Sequence, residues 1–142
     1  MPDEHLIQKS REIAESIFWG TEIFLAYAYG SRVYGTPMPD SDLDVGYYLE
    51  GYLDGDSLPL RIEMALLDRL SEALGCEVDL RNLGHAPLEL KGRALEEGVR
   101  IYCSDEKRRV NLERDLLARY HDYKPLFARM HQERLAGFAR GD

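Results

Sequence analysis

Two aspartates separated by a single residue, Asp42 and Asp44, follow a Gly-Ser pair, and ten residues lie between Ser31 and Asp42. Apolar runs precede Gly30 and follow Asp44, which predicts a strand on each side of this loop. A glycine at the end of a strand lets a ligand approach the backbone closely, and the serine offers a hydroxyl and a backbone N–H. The Gly-Ser pair therefore predicts a small phosphate-binding turn.

The two aspartates form the second chemical feature. Side chains alternate along a strand, so Asp42 and Asp44 are expected on one side of the second strand while Leu43 and Val45 enter the core. Two carboxylates on one side repel each other unless a cation lies between them. Oxygen ligands without a nearby histidine or cysteine suit Mg²⁺, so the pair predicts part of a magnesium site.

A third carboxylate is expected from the segment "CEVDLRNL", residues 76–83, in which Val78 and Leu80 alternate with polar residues. That alternation predicts a strand with one buried face, and Asp79 lies on the opposite face. If this strand lies beside the second strand, Asp79 joins Asp42 and Asp44 to hold two metal ions. The alternative is a surface ion pair between Asp79 and Arg81.

The elements that would position these side chains alternate between helical and strand patterns. The helix that begins near Pro59 is expected to have Asp56 or Ser57 as its N-cap and a buried face that includes Leu60 and Met64, while Pro125 is expected to break or kink the last helix. This order indicates a single α/β (α+β) domain, with a small mixed β-sheet flanked by helices and a long C-terminal helix. The predicted elements are a helix over 4–19, strands over 22–29 and 43–50, a helix from Pro59 to Gly75, a strand over 76–83, a helix from Pro87 to Gly98, a strand over 99–103 and a helix after Asp105.

Charge divides the chain into two parts. Residues 1–104 hold 9 basic and 19 acidic residues, and residues 105–142 hold 9 and 7, which together give the net charge of −8. An acidic body argues against nucleic-acid binding, because binding to phosphates depends on clustered cations. We expect one domain over residues 1–142, with a core at 5–104 and a helical tail at 105–142.

Three features of the sequence indicate the cellular compartment. The N-terminal residues lack the basic start and apolar core of a signal peptide, and no apolar run is long enough to span a membrane. The two cysteines, Cys76 and Cys103, have no metal-type spacing, and reduced thiols are favoured over a single disulfide. These features predict a cytoplasmic protein without a membrane partner.

The stretch "GSRVYGTPMPDSDLD", residues 30–44, resembles the Gly-Ser, ten-residue, Asp-x-Asp pattern of the minimal nucleotidyltransferases in the DNA polymerase β-like superfamily. The strand that carries Asp79 and the segment "LEEGVRIY" are also similar to that family, and "RYHDYKPL" in the tail is similar less specifically. The resemblance covers residues 5–104. It implies a nucleotidyltransferase fold that uses ATP and Mg²⁺ to transfer AMP to a hydroxyl group.

The resemblance also implies a role for each residue of the motif. Gly30 and Ser31 would hold the phosphates of ATP, and Arg32 would contribute positive charge to them. The metal ligands would be Asp42 and Asp44. Asp79 would complete the metal site and help to deprotonate the acceptor hydroxyl.

The acceptor is expected on a partner protein, because a core of this size leaves little room for a substrate domain. Among minimal nucleotidyltransferases, the chain resembles MntA-type antitoxins, which form hetero-oligomers with HEPN-domain toxins of the HepT type and inactivate them by AMPylation of a tyrosine. Two alternatives stay open at this point. One is transfer to a small molecule such as an aminoglycoside, which an acidic surface would attract, and the other is an antitoxin that binds its toxin without catalysis.

Overall fold

A computed structural model describes residues 4–34 and 42–139. Two short 3-10 helices, Tyr52–Asp54 and Leu83–His85, connect the longer elements. The predicted order of longer helices and strands is confirmed, and the added element is a four-residue helix directly after Gly30. In the described part of the chain the elements are α1 (Glu4–Phe18), β1 (Ile23–Tyr29), α2 (Ser31–Tyr34), β2 (Leu43–Leu49), α3 (Leu60–Leu74), β3 (Val78–Asn82), α4 (Leu88–Glu97), β4 (Val99–Cys103) and α5 (Glu106–Ala139).

The strands form one mixed sheet in the order β3-β2-β1-β4. Strand β1 pairs antiparallel with β2 and with β4. Strand β3 pairs with β2 in parallel, and α3 provides the crossover that a parallel connection needs. The predicted small mixed sheet is therefore confirmed, and β3 lies directly beside the strand that carries Asp44.

Helices cover both faces of the sheet. One apolar cluster joins α1 and α3 to the side chains of β2 that include Leu43, Val45 and Tyr47. A second cluster joins Ala94 of α4 and Leu112 of α5 to the other face. Because both faces are covered, all seven residues of β1 are buried. Asp44 of β2 and Asp79 of β3 are partly exposed and lie side by side as partners in the parallel ladder.

Helix α3 differs from the prediction at its N-terminal end. Its N-cap is Pro59, which makes no side-chain capping hydrogen bond, so the prediction of Asp56 or Ser57 as the cap is wrong. Leu60 and Met64 are 72% and 54% exposed. The buried residues of the helix are Leu66, Leu70 and Leu74, so the predicted apolar periodicity is present but its buried face begins only at Leu66.

The prediction at Pro125 was a break or a kink of the helix. Helix α5 continues through Pro125 to Ala139, so the break is wrong. Lys124 contacts Glu96 of α4, and His131 contacts Glu89 of the same helix. These contacts on either side of the proline hold the second half of α5 against α4. A proline in a helix removes one backbone donor, and the contacts with α4 offset that loss.

A hydrogen bond between Tyr27 of β1 and Glu113 of α5 connects this helix to the sheet. The buried hydroxyl of Tyr27 donates to the carboxylate of Glu113, which also accepts from Arg109. Tyr48 lies on the same face of the sheet, and its buried hydroxyl has no hydrogen-bond partner within the described residues. The chain thus offers two buried tyrosines that differ in whether the hydroxyl is paired.

We expect Tyr27→Phe to lower the free energy of unfolding by about 1.5–3 kcal/mol, because it removes a hydrogen bond to a charged group. Tyr48→Phe is the matched control, and it is expected to leave stability unchanged or slightly raised because no hydrogen bond is lost. Urea unfolding followed by circular dichroism measures both. Equal losses in the two variants would show that the Tyr27–Glu113 hydrogen bond does not hold α5.

The structure also describes both cysteines and the length and polarity of each helix. Cys76 and Cys103 are both free thiols. Among the described residues no helix combines the length and the apolar character that crossing a membrane requires.

Candidate nucleotidyl-transfer site

Gly30 ends β1 and turns the chain into α2. Its φ is +87°, a left-handed conformation that side chains disfavour. The backbone N–H of Val33 donates to the carbonyl of Gly30 at 3.1 Å and closes the turn. The predicted strand-to-turn transition is therefore present at this glycine, although the turn continues as a short helix that sequence reasoning missed.

Gly30 lies directly against Asp44. A Cβ atom on Gly30 would lie 2.1 Å from Oδ2 of Asp44, a distance that no side chain can tolerate. Tyr29 is the register partner of Asp44 in the antiparallel ladder, so the close approach follows from the pairing of β1 with β2. Only glycine allows the turn and this carboxylate to occupy neighbouring positions.

Asp79 lies beside Asp44, because the two residues are partners in the parallel ladder of β2 and β3. Asp44 is half-buried. Burial raises the pKa of its carboxyl above the ordinary 3.8, the charge of Asp79 raises it further, Arg81 opposes the shift and Asp42 adds to it. Like charges are therefore concentrated at this end of the sheet, and a bound cation would relieve their repulsion.

Asp42 lies just outside the strand. Strand β2 begins at Leu43, and Asp42 precedes it as an exposed residue. The predicted start of this strand at residue 43 is confirmed, and Asp42 is close enough to Asp44 to raise its pKa. Its position leaves the carboxylate in solvent, where it can approach a ligand.

The ion pair between Asp79 and Arg81, which was the alternative prediction for Asp79, is also present. Arg81 Nη2 lies 3.5 Å from Asp79 Oδ2, and the two side chains are 50% and 44% exposed. An exposed pair of this kind contributes about 0–1 kcal/mol, so it does not prevent Asp79 from turning to another cation. The structure therefore places Asp79 between Asp44 on the neighbouring strand and Arg81 on its own.

The donor set fits a hard divalent cation, since it consists of carboxylate oxygens. Within residues 4–34 and 42–139, no three histidine, cysteine, aspartate or glutamate side chains are grouped closely enough to hold a metal ion as they stand. The pair brought together by the sheet is Asp44 and Asp79, and Asp42 lies at the edge. Metal binding by all three would therefore require side-chain movement.

The described part of the chain includes only some of the residues that were predicted to bind phosphate. Arg32 is half-buried in α2. The side chains of Ser31 and Tyr34, and residues 35–41 of the predicted loop, lie outside the described part of the chain. The role of Ser31 as a phosphate ligand therefore stays a prediction.

Sequence reasoning missed the contribution of Gly46. A Cβ at this position would lie 2.5 Å from the side chain of Leu83, so the glycine lets the second 3-10 helix pack on the face of β2 next to Asp44. An isolated glycine inside a strand is the usual sign of such a close approach.

The charges around Asp44 predict opposite effects for two neighbouring substitutions. Asp79→Asn is expected to lower the pKa of Asp44, because it removes a negative charge that raises it, and Arg81→Gln is expected to raise that pKa because it removes a positive charge. A titration of the Asp44 carboxyl carbon by nuclear magnetic resonance measures both shifts. Shifts of the same sign in the two variants would contradict this arrangement.

A mixed sheet that brings carboxylates from adjacent strands beside a glycine turn is the arrangement of nucleotidyltransferases. Residues 11–107 match the family described as "Polymerase beta, Nucleotidyltransferase". The chain belongs to this family and is a nucleotidyltransferase. The expectation from the Gly-Ser and Asp-x-Asp spacing is confirmed at the level of the family.

The solved structures that this chain resembles include toxin–antitoxin complexes. A mutant complex that contains the MntA antitoxin matches with a TM-score of 0.66 at 17% identity, over 91% of this chain and 98% of the other. A toxin–antitoxin structure with AMP-PNP matches with a TM-score of 0.65 at 19% identity, over 91% and 98%. The third is a tri-AMPylated HEPN toxin of Shewanella oneidensis in complex with its MNT antitoxin, with a TM-score of 0.62 at 17% identity over 93% and 98%.

These likenesses confirm the predicted nucleotidyltransferase fold. The comparison with curated proteins gives no significant match.

Proposed function

We propose that this chain is an antitoxin that transfers AMP from ATP to a tyrosine hydroxyl of a partner HEPN-domain toxin. The observation that carries the proposal is the contact of Gly30 with Asp44, which is itself paired with Asp79 at the end of the sheet. The structural neighbours include an antitoxin with an AMPylated HEPN toxin and a complex with AMP-PNP, which supports ATP as the nucleotide.

Each residue has a distinct role in this proposal. Asp42, Asp44 and Asp79 would hold Mg²⁺, and two ions are expected because three carboxylates are available. The metal supplies charge neutralisation at the phosphates and lowers the pKa of the acceptor hydroxyl. The open backbone at Gly30, together with Ser31 and Arg32, would bind the triphosphate.

At the α-phosphorus the proposed reaction forms one P–O bond and breaks another, and one proton moves from the tyrosine hydroxyl to a carboxylate. The tyrosine oxygen attacks the α-phosphorus of ATP, the bond from that phosphorus to the bridging oxygen breaks, and pyrophosphate leaves. The carboxylate of Asp79 accepts the hydroxyl proton. The chain otherwise provides position and charge, which account for most of the catalysis in phosphoryl and nucleotidyl transfer.

The acceptor is proposed to lie on the partner because the structural neighbours include a tri-AMPylated HEPN toxin in complex with its MNT antitoxin. In this chain residues 11–107 match the family domain, and helix α5 packs on α4. The antitoxin chains in the matched complexes are covered over 98% of their length by this fold. A hetero-oligomer with the toxin in the cytoplasm, where ATP is available and the two thiols stay reduced, fits these observations.

The test is incubation of the purified chain with ATP, Mg²⁺ and the HEPN-domain protein encoded beside it, followed by mass spectrometry of that protein. We expect the mass of one or more adenylates on tyrosine. Tight binding without modification would instead identify a non-catalytic antitoxin. Modification of an aminoglycoside, with the toxin left unchanged, would identify a small-molecule nucleotidyltransferase.

A further inference from the structure

The second half of α5 continues past the buried part of the helix. Leu112, Leu116 and Tyr120 are buried, whereas residues 121–137 are exposed or half-buried. We refer to this exposed segment as the arm. Most of the stability of helices in proteins comes from the packing of an apolar face, so a partner that covers one face of the arm would stabilise it.

The arm carries apolar side chains at helical spacing. Tyr123, Leu126 and Met130 are 51%, 38% and 48% exposed. Phe127 lies between them and is half-buried. The spacing of i, i+3, i+4 and i+7 places all four on one side of the helix, and helices that bind in an apolar groove use the same anchor positions. Because Arg134 follows Met130 by one turn, this side fits an apolar groove with a carboxylate near one end.

The arm lies on the face of the sheet that carries Asp44. Tyr29 is the ladder partner of Asp44, so the two side chains share a face, and Tyr29 belongs to the apolar cluster that joins this face to α4 and α5. Lys124 of the arm contacts Glu96 near the end of α4. Gly98 follows directly, and a Cβ there would lie 3.1 Å from Cβ of Tyr29. A partner bound to the arm would therefore lie near the carboxylates, where the acceptor tyrosine has to enter.

The likeness to antitoxin chains extends into the arm. The match to the antitoxin that is in complex with an AMPylated HEPN toxin covers 93% of this chain and so leaves out about ten residues. The family domain ends at residue 107, and 35 residues follow it. The shared fold therefore includes most of α5, which favours a toxin over a second copy of this chain as the molecule that covers the arm.

We propose that Tyr123, Leu126 and Met130 bind in an apolar groove of the partner HEPN toxin, and that Arg134 contacts a carboxylate at the rim of that groove. The proposal rests on the proposed function for the identity of the partner, but it concerns binding and not the chemical step. Such contacts stabilise the bound toxin equally before and during transfer. They therefore lower KM for the toxin and leave kcat unchanged.

The test is isothermal titration calorimetry of the full chain with the HEPN-domain protein encoded beside it. Leu126→Glu and Met130→Glu place a charge at exposed positions, so each is expected to keep the fold and to weaken binding at least about tenfold. Steady-state AMP transfer should show a similar rise in KM for the toxin at an unchanged kcat. Leu60→Glu is the matched control, because Leu60 is an exposed leucine of α3 on the opposite face of the sheet, and it should change neither quantity.

Circular dichroism verifies that each variant keeps the helix content of the wild type. Wild-type affinity in both arm variants would overturn the docking surface and leave the proposed AMP transfer intact. Binding that depends on the arm, without any adenylate on the toxin, would support the docking surface and contradict AMP transfer. Three further results would overturn the proposal: no binding of the HEPN-domain protein, equal weakening by Leu60→Glu, or self-association of the chain alone that Met130→Glu abolishes, which would identify a second copy as the occupant.

Discussion

Asp44→Asn is expected to reduce AMP transfer by at least about 100-fold while the protein stays folded. Loss of partners that only orient a metal ligand costs 10–100-fold, and Asp44 is proposed as a ligand itself. The residue is also the centre of the site, because it contacts Gly30 and pairs with Asp79. No other substitution discussed here is expected to affect activity as strongly without affecting the fold.

The same substitution is expected to change the pH dependence of stability. Because the folded chain raises the pKa of Asp44, protonated Asp44 favours the folded state, and this contribution is complete below the ordinary 3.8 and is lost as the pH rises through the folded value. Without metal, wild-type stability should therefore fall relative to Asp44→Asn as the pH rises from about 4. Urea unfolding at several pH values measures the difference.

Asp68→Asn is the matched control for activity, since Asp68 is an exposed aspartate on α3, which packs on the opposite face of the sheet. It removes one negative charge without touching the site, and transfer is expected to stay at the wild-type rate. Wild-type transfer by Asp44→Asn, with Mg²⁺ as the only metal, would falsify the assignment of this residue.

Gly30→Ala is expected to have the largest combined effect on stability and activity. A residue other than glycine at φ +87° costs about 1–3 kcal/mol. The added Cβ would also lie 2.1 Å from Oδ2 of Asp44, so the turn or the carboxylate must move. We expect the loss of stability to exceed the conformational cost alone, and transfer to fall at least about 100-fold because a shift of about 1 Å at a reacting centre has that effect.

Gly55→Ala separates the conformational cost of a positive φ from the cost of the clash with Asp44. Gly55 also has a positive φ, at +74°, but a Cβ there would contact nothing within 4 Å. It should show the conformational cost with full transfer activity, and the difference between the two variants measures the contact with Asp44. Similar stability and similar activity in both variants would mean that the Gly30 turn has no part in the site.

Most of the fold could be predicted from local pattern. The alternation of Val78 and Leu80 with polar residues placed β3, and the glycines at 75 and 98 end α3 and α4 as expected. The predictions that were wrong concern burial and helix length at positions where tertiary contacts determine them. Leu60 and Met64 continue the apolar period of α3 but are not covered, and Pro125 does not end α5 because contacts with α4 lie on both sides of it.

The sequence by itself determined the types of residue available for chemistry, namely the Gly-Ser pair and the three aspartates, and it indicated the family through their spacing. Only the tertiary structure decided which of them meet, because the parallel pairing of β2 with β3 joins residues 35 positions apart through contacts that no local pattern encodes.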